Sequence, residues 1–177
     1  MTPPPHPSSP STVCVLDASV LLDMDNGQIT RCLALLPYHV VVPDAVLAEL
    51  KPSLQDALRN LGIEVGRLGP PSIQEMYTLR PACPSLSVAD LFAFFVARDR
   101  HAILVTGDKR LTRLGRDRGL CVHGVLWVLD GLVARQALTK LGAAAALELI
   151  LRCGGRLPAS ECQKRLSAWR RAAGQMG

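Results

Sequence analysis

Short apolar runs of four or five residues, bounded by turn or cap residues, alternate along the chain with segments whose apolar positions recur at helical spacing. Continuous apolar runs of that length suit strands buried on both faces, and the periodic segments suit the helices that cover them. Strands are predicted at 13–16 (VCVL), 39–42 (HVVV), 63–67 (IEVGR), 102–106 (AILVT) and 119–122 (GLCV). Helices are predicted near 19–25, 28–36, 44–50, 53–61, 72–79, 88–100 and 109–117. Pro43-Asp44 marks one helix start, and Ser87-x-x-Asp90 reads as a capping box at another. The pattern therefore predicts an α/β sandwich on a mostly parallel sheet.

Beyond residue 123 the pattern turns helical: HGVLWVLDGLVARQAL, an Ala/Leu-rich run over 142–152, then LPASECQKRLSAWRRAAG. In the last segment Ser160 and Gln163 fit a capping box, and Cys162, Leu166, Trp169 and Ala173 recur at helical spacing. These helices are expected to pack on the sheet domain or on a partner chain. The first twelve residues, MTPPPHPSSPST, have no apolar periodicity and read as a flexible Pro/Ser-rich tail. The expected organisation is a tail over 1–12, a domain over 13–135 and a helical extension over 136–177.

Composition narrows the class without naming a function. With 49% hydrophobic and 20% charged residues, the 177-residue chain suits one folded domain rather than a disordered protein. A net charge of +5 makes a polyanion such as nucleic acid a reasonable partner. Cys14, Cys32, Cys83, Cys121, Cys153 and Cys162 lie scattered in apolar stretches with no C-x-x-C pair, as reduced cysteines of a cytoplasmic protein would. Every apolar run is interrupted too early for a membrane span, so a soluble protein is expected.

Four acids stand where chemistry is expected. In open parallel sheets, ligands bind outside the carboxyl ends of the strands. Asp17 directly follows VCVL and Asp108 lies two residues past AILVT, while Glu49 and Asp90 sit in helices adjoining strands. Each also has a purely structural reading: Asp17 and Asp108 as helix caps, Asp90 as the acid of the capping box, Glu49 as an exposed helical glutamate. Whether they converge depends on strand order. Convergent carboxylates would suit Mg²⁺ or Mn²⁺, hard cations that take oxygen ligands and can drive phosphodiester hydrolysis.

The segments VLDASVLLD around Asp17, VVVPDAVLAEL around Glu49, LSVADLFAFFVA around Asp90 and ILVTGDKRL around Asp108 resemble, in that order, the motifs of the PIN-domain family. The bacterial VapC-like toxins and their relatives are especially similar. The resemblance covers about residues 13–135, with HGVLWVLDGLV like the closing helix of one branch. It implies a three-layer α/β/α fold around a central parallel five-stranded sheet, followed here by a helical C-terminal extension. It also implies that Asp17, Glu49, Asp90 and Asp108 form a catalytic site for Mg²⁺ or Mn²⁺, with Ser19 and Thr106 as neighbouring hydroxyls. The implied activity is endonucleolytic hydrolysis of single-stranded RNA. A small antitoxin protein and a homodimer are the implied partners.

Lys109, Arg110, Arg113 and Arg116 are candidate RNA-binding residues beside Asp108, where Lys109, Arg113 and Arg116 share a helix flank. They equally fit a solvated helix face. Lys164, Arg165, Arg170 and Arg171 form a second basic region whose role stays open between RNA, a partner and solubility. Phe94 and Phe95 are expected in the core, and few aromatics remain for a base-stacking platform. A haloacid-dehalogenase-like phosphotransferase would need a second Asp two positions after the first, where this chain has Ser19. A non-catalytic PIN-like RNA-binding or scaffold module is the other alternative.

Overall fold

The structure is a computed structural model that describes residues 12–174, with side chains through Arg171. The Pro/Ser-rich tail falls almost wholly outside the described residues, as does the side chain of Ala173.

The core is a five-stranded, all-parallel sheet in the order β3-β2-β1-β4-β5. The strands are β1 (Val13–Leu16), β2 (His39–Pro43), β3 (Glu64–Gly66), β4 (Ile103–Val105) and β5 (Val122–His123). Helices flank them in the predicted three-layer α/β/α arrangement: α1 (Ala18–Asn26), α2 (Asp44–Glu49), α3 (Pro52–Asn60), α4 (Pro70–Leu79), α5 (Val88–Asp99), α6 (Lys109–Asp117) and α7 (Val125–Ala134). Two further helices follow, α8 (Lys140–Arg152) and α9 (Ala159–Gly174). None of the described helices is long and apolar enough to cross a membrane.

From β1 the chain steps outward through β2 to β3, then returns to the other side of β1 for β4 and β5. The direction of winding reverses between β1 and β4. At such a reversal the connections leave the carboxyl edge to opposite sides and open a crevice between them. Leu16 pairs with Val105, so Asp17 and Thr106 emerge side by side at that crevice.

Helix α5 anchors the middle of the molecule. Ala89, Leu91, Ala93, Phe94, Phe95, Val96 and Ala97 are all buried, so the helix is covered around most of its circumference. It touches β1, β2 and β4 as well as α2, α4 and α6. Phe94 and Phe95 meet edge to face, 5.1 Å between centroids, in the core as expected.

Three local expectations need correction. The predicted helix over 28–36 is a 3₁₀ segment, Thr30–Leu35. Gln28 takes a left-handed conformation (φ 58°) and Leu36 before Pro37 is extended, leaving too few residues between them for an α-helix. The last strand begins at Val122 rather than 119, because Gly119 (φ +78°) and Leu120 close the end of α6 through bonds to Arg116 and Gly115. Finally, α9 starts at Ala159, so Ser160 lies inside the helix and does not cap it.

In α9, Cys162 and Trp169 are buried and Leu166 is partly buried, along the predicted stripe. The second basic region is largely committed to holding this helix in place. The Arg165 guanidinium clasps Asp130 of α7 at 2.7 Å and Glu161 at 3.0 Å. Arg170 pairs with Glu148 of α8, and Lys164 with Glu161.

Candidate active site

Asp17 is the best-defined polar residue at the crevice. Its backbone N–H donates to Val105 O at 3.0 Å, which continues the β1–β4 pairing one step past the strand. Its side chain is 2% exposed, and Oδ2 accepts from Ser19 Oγ and Thr106 Oγ1, each at 2.8 Å. Both hydroxyls are oriented by backbone amides. Gly107 N–H donates to Ser19 Oγ at 2.8 Å and Asp108 N–H to Thr106 Oγ1 at 3.0 Å, so each hydroxyl proton is free to point at the carboxylate. Both hydroxyls bond to the first acid, and Thr106 does so while also standing at the end of β4, where its N–H donates to His123 O at 2.9 Å.

Asp108 is the N-cap of α6. Its Oδ1 accepts from Arg110 N–H at 2.7 Å and Leu111 N–H at 2.8 Å. Asp90 completes the capping box, accepting from Ser87 N–H while its own N–H donates to Ser87 Oγ. The structural readings of these two acids are therefore real. They do not compete with a site role, because a carboxylate that caps with one oxygen keeps the other. Glu49 is exposed at the end of α2, a helix packed on α5.

Some of these acids lie near enough for their charges to act on one another. Although Glu49 is exposed, partial desolvation of its carboxyl raises it above its ordinary value, and the negative charges of Asp90 and Asp17 push it further. Burial likewise raises Asp90, partly offset by its bonds to Ser87, with Asp17 and Asp108 adding to the rise. Like charges at close range disfavour ionisation, which a bound cation would relieve.

No three His, Cys, Asp or Glu side chains among the described residues stand close enough to ligate one ion together. An all-protein cage of the kind that holds Ca²⁺ or structural Zn²⁺ is therefore not assembled by them. The donor set nevertheless fits Mg²⁺ or Mn²⁺: every candidate ligand is oxygen, and Mg²⁺ keeps several waters while resting on one or two carboxylates.

The candidate RNA-binding residues Lys109, Arg110, Arg113 and Arg116 are all exposed on α6. Arg113 is loosely tethered to Asp117 at 3.7 Å and Arg110 to Ser85 O at 3.3 Å. Lys109 lines a cleft of about 520 Å³ together with Thr106 and Gly107.

A fifth acid escaped the sequence reading. Asp23 lines a second cleft of about 350 Å³ with Ser19, Asn26 and Asp108. A signal was available, since positions 19, 23 and 26 fall on one face of a helix that starts beside Asp17. Burial pushes the Asp23 carboxyl up to about 6 from an ordinary 3.8. The folded protein thus retains a proton that the unfolded chain releases between those values, so stability falls as pH rises through that window and the loss is complete above about 6. Asp23→Asn removes the penalty. Allowing for solvent screening of a half-buried group, the variant is expected to gain about 1–2 kcal/mol at pH 8, a rise of roughly 2–8 °C in Tm. The gain should shrink towards pH 4; a gain independent of pH would refute the assignment.

A family model described as a PIN domain matches residues 13–171, which includes α8 and nearly all of α9. No curated protein matches the sequence. Among solved structures, the chain is similar to PAE2754 from Pyrobaculum aerophilum at 17% identity and a TM-score of 0.48, over 73% of this chain and 99% of that one. The match along almost the whole sequence, on an all-parallel five-stranded sheet, makes this chain a member of the PIN-domain family.

Proposed function

We propose that the protein is a metal-dependent endoribonuclease that hydrolyses phosphodiesters of single-stranded RNA. Membership of a family that generally comprises metal-dependent nucleases supports the class of reaction. The observation that carries the reading is the carboxylate of Asp17, held by Ser19 and Thr106 at the carboxyl edge of β1 and β4, with Asp108 bonded through its N–H to the same Thr106 hydroxyl.

Asp17 and Asp108 anchor Mg²⁺ or Mn²⁺, and Glu49 and Asp90 complete the negative site. The ion supplies charge neutralisation at the phosphate and makes water more acidic near neutral pH. Ser19 and Thr106 fix the Asp17 carboxylate in one orientation, so little reorganisation is needed when the ion arrives. Exposed Lys109, Arg110, Arg113 and Arg116 attract the RNA backbone, which makes binding sensitive to salt and tolerant of sequence. Residues 13–135 form the nuclease domain and 136–177 an extension. The likeness to VapC-like toxins supports a small antitoxin protein that closes the crevice, a homodimer, and a cytoplasmic setting.

Incubating the pure protein with mixed single-stranded RNAs, with and without Mg²⁺ or Mn²⁺, tests the reading. Internal cleavage that appears with the metal and disappears with EDTA is expected. RNA binding without cleavage would favour the non-catalytic alternative. The pH dependence gives an independent check, because carboxylates must be ionised to hold a metal. Since Glu49 is raised above its ordinary 4.5 and Asp90 above its ordinary 3.8, metal affinity should begin to weaken at a higher pH than ordinary carboxylates would give as pH falls from 7. Affinity flat from pH 7 to 4.5 would contradict a shared carboxylate site.

A further inference from the structure

The turn between α8 and α9 reaches the acidic crevice although it lies far along the chain from every motif there. Arg156 and Leu157 line both clefts described above, the one containing Thr106 and Lys109 and the one containing Ser19, Asp23 and Asp108. Gly107, beside Asp108, lines both as well. Arg156, Leu157 and Gly107 are therefore shared by the two clefts.

The turn is built to hold that position. Gly154 is left-handed (φ +89°), and its N–H donates to Leu151 O at 3.1 Å. Gly155 N–H donates to Ile150 O at 2.9 Å, and a Cβ at Gly155 would come within 2.6 Å of Ile150 Cγ2 and 2.8 Å of Ile150 O. Only glycine fits so close an approach. Ile150 in turn packs on α1 near Gly27, and α1 begins immediately after Asp17. One pair of packed helices thus sets the spacing between Arg156 and Asp17.

The charge arrangement identifies what this residue can bind. Lys164, Arg165 and Arg170 of the same extension all have carboxylate partners. Arg156 is exposed and has no ion-pair partner among the described residues, although Asp23 and Asp108 line the same cleft. An unpaired guanidinium lining the same cleft as carboxylates suits an anion that enters there, and its planar fork matches two phosphate oxygens.

We propose that Arg156 grips an RNA backbone phosphate next to the one being cleaved, and that this turn of the C-terminal extension forms one wall of the RNA path. The role rests on the ribonuclease reading, so binding and cleavage are measured separately. Wild type, Arg156→Ala and Arg156→Lys are compared with one fluorescein-labelled single-stranded RNA. Binding is followed by anisotropy in EDTA across a salt series, and cleavage with Mn²⁺ across substrate concentrations. Arg156→Ala should bind about tenfold more weakly, the loss of a charge-assisted contact. The slope of log affinity against log salt should become shallower by about 0.7, one phosphate contact on a single strand. KM should rise with kcat nearly unchanged, and Arg156→Lys should recover part of the affinity. Because the side chain is exposed, Tm should not move.

Unchanged affinity and salt slope in Arg156→Ala would overturn the role while wild-type cleavage left the ribonuclease reading standing. Binding that depends on Arg156 without any wild-type cleavage would keep the phosphate contact but overturn its place beside a cleavage site, along with the nuclease reading. A wild type that binds no RNA would overturn it.

Discussion

Asp17→Asn is expected to lower metal-dependent RNA cleavage by about 10³-fold, equivalent to roughly 4 kcal/mol of lost transition-state stabilisation, with little change in Tm. The substitution is unusually clean. Asp17 uses Oδ2 to accept from Ser19 and Thr106, and the amide oxygen of asparagine can accept both bonds. What disappears is the negative charge. The backbone bond from residue 17 to Val105 does not involve the side chain and survives. Asp108→Asn is the matched partner, because asparagine caps helices as well as aspartate and the bonds from Arg110 and Leu111 persist. Mn²⁺ binding by calorimetry supplies a readout apart from turnover, and both variants should lose affinity. Cleavage by either variant at wild-type rate would remove the central carboxylates from the mechanism. Loss of cleavage with undiminished Mn²⁺ binding would place the ion elsewhere.

The sequence revealed more of the elements than of their arrangement. VCVL, HVVV and AILVT are apolar on both faces, so their identity as buried parallel strands could be read from pattern alone. The capping box at Ser87 and the cap at Asp108 were legible because they are local chemistry, with partners two or three residues away. Whether Asp17 meets Thr106 was not legible in the same way. That meeting spans 89 residues and depends on β4 lying beside β1, a fact of strand order that no local pattern encodes. The resemblance to PIN-domain motifs supplied the expectation that the acids belong together, and the sheet topology gives the physical reason that Asp17 lies beside Thr106 and the loop of Asp108.

Asp23 and Arg156 show two different kinds of omission. Asp23 sits in VLLDMDN, where an acid between apolar residues passes for the solvent side of an amphipathic helix. Only its place on the face of Ser19 marked it out. Arg156 follows a Gly-Gly turn that pattern identifies as a loop, yet nothing in CGGRLP indicates that the loop lands beside Gly107. The basic residues of α9 failed in the opposite direction. They read as an available charged patch, but Lys164, Arg165 and Arg170 are ion-paired within the extension.

Phe94→Ala is expected to destabilise the protein by about 3–5 kcal/mol, through lost transfer free energy and the cavity left behind. For a chain of this size that corresponds to a fall in Tm of roughly 6–20 °C. Phe94 is fully buried, lies one turn beyond Asp90 on α5, and packs edge to face on Phe95. Little can collapse into the gap, because α5 is held by strands and helices on several sides at once. Tyr77→Ala serves as the control, since it deletes an aromatic ring of similar size at a position 59% exposed and should change stability by less than about 0.5 kcal/mol. Thermal melts of the two variants side by side test whether α5 is the buried hub of the fold, and equal shifts would show that it is not. The consequence reaches the site because Asp90 occupies the first turn of this helix, so the core that fixes α5 also fixes the acid. Phe94→Ala should therefore lose cleavage at temperatures well below those at which the wild type does, while retaining it where the variant is still folded.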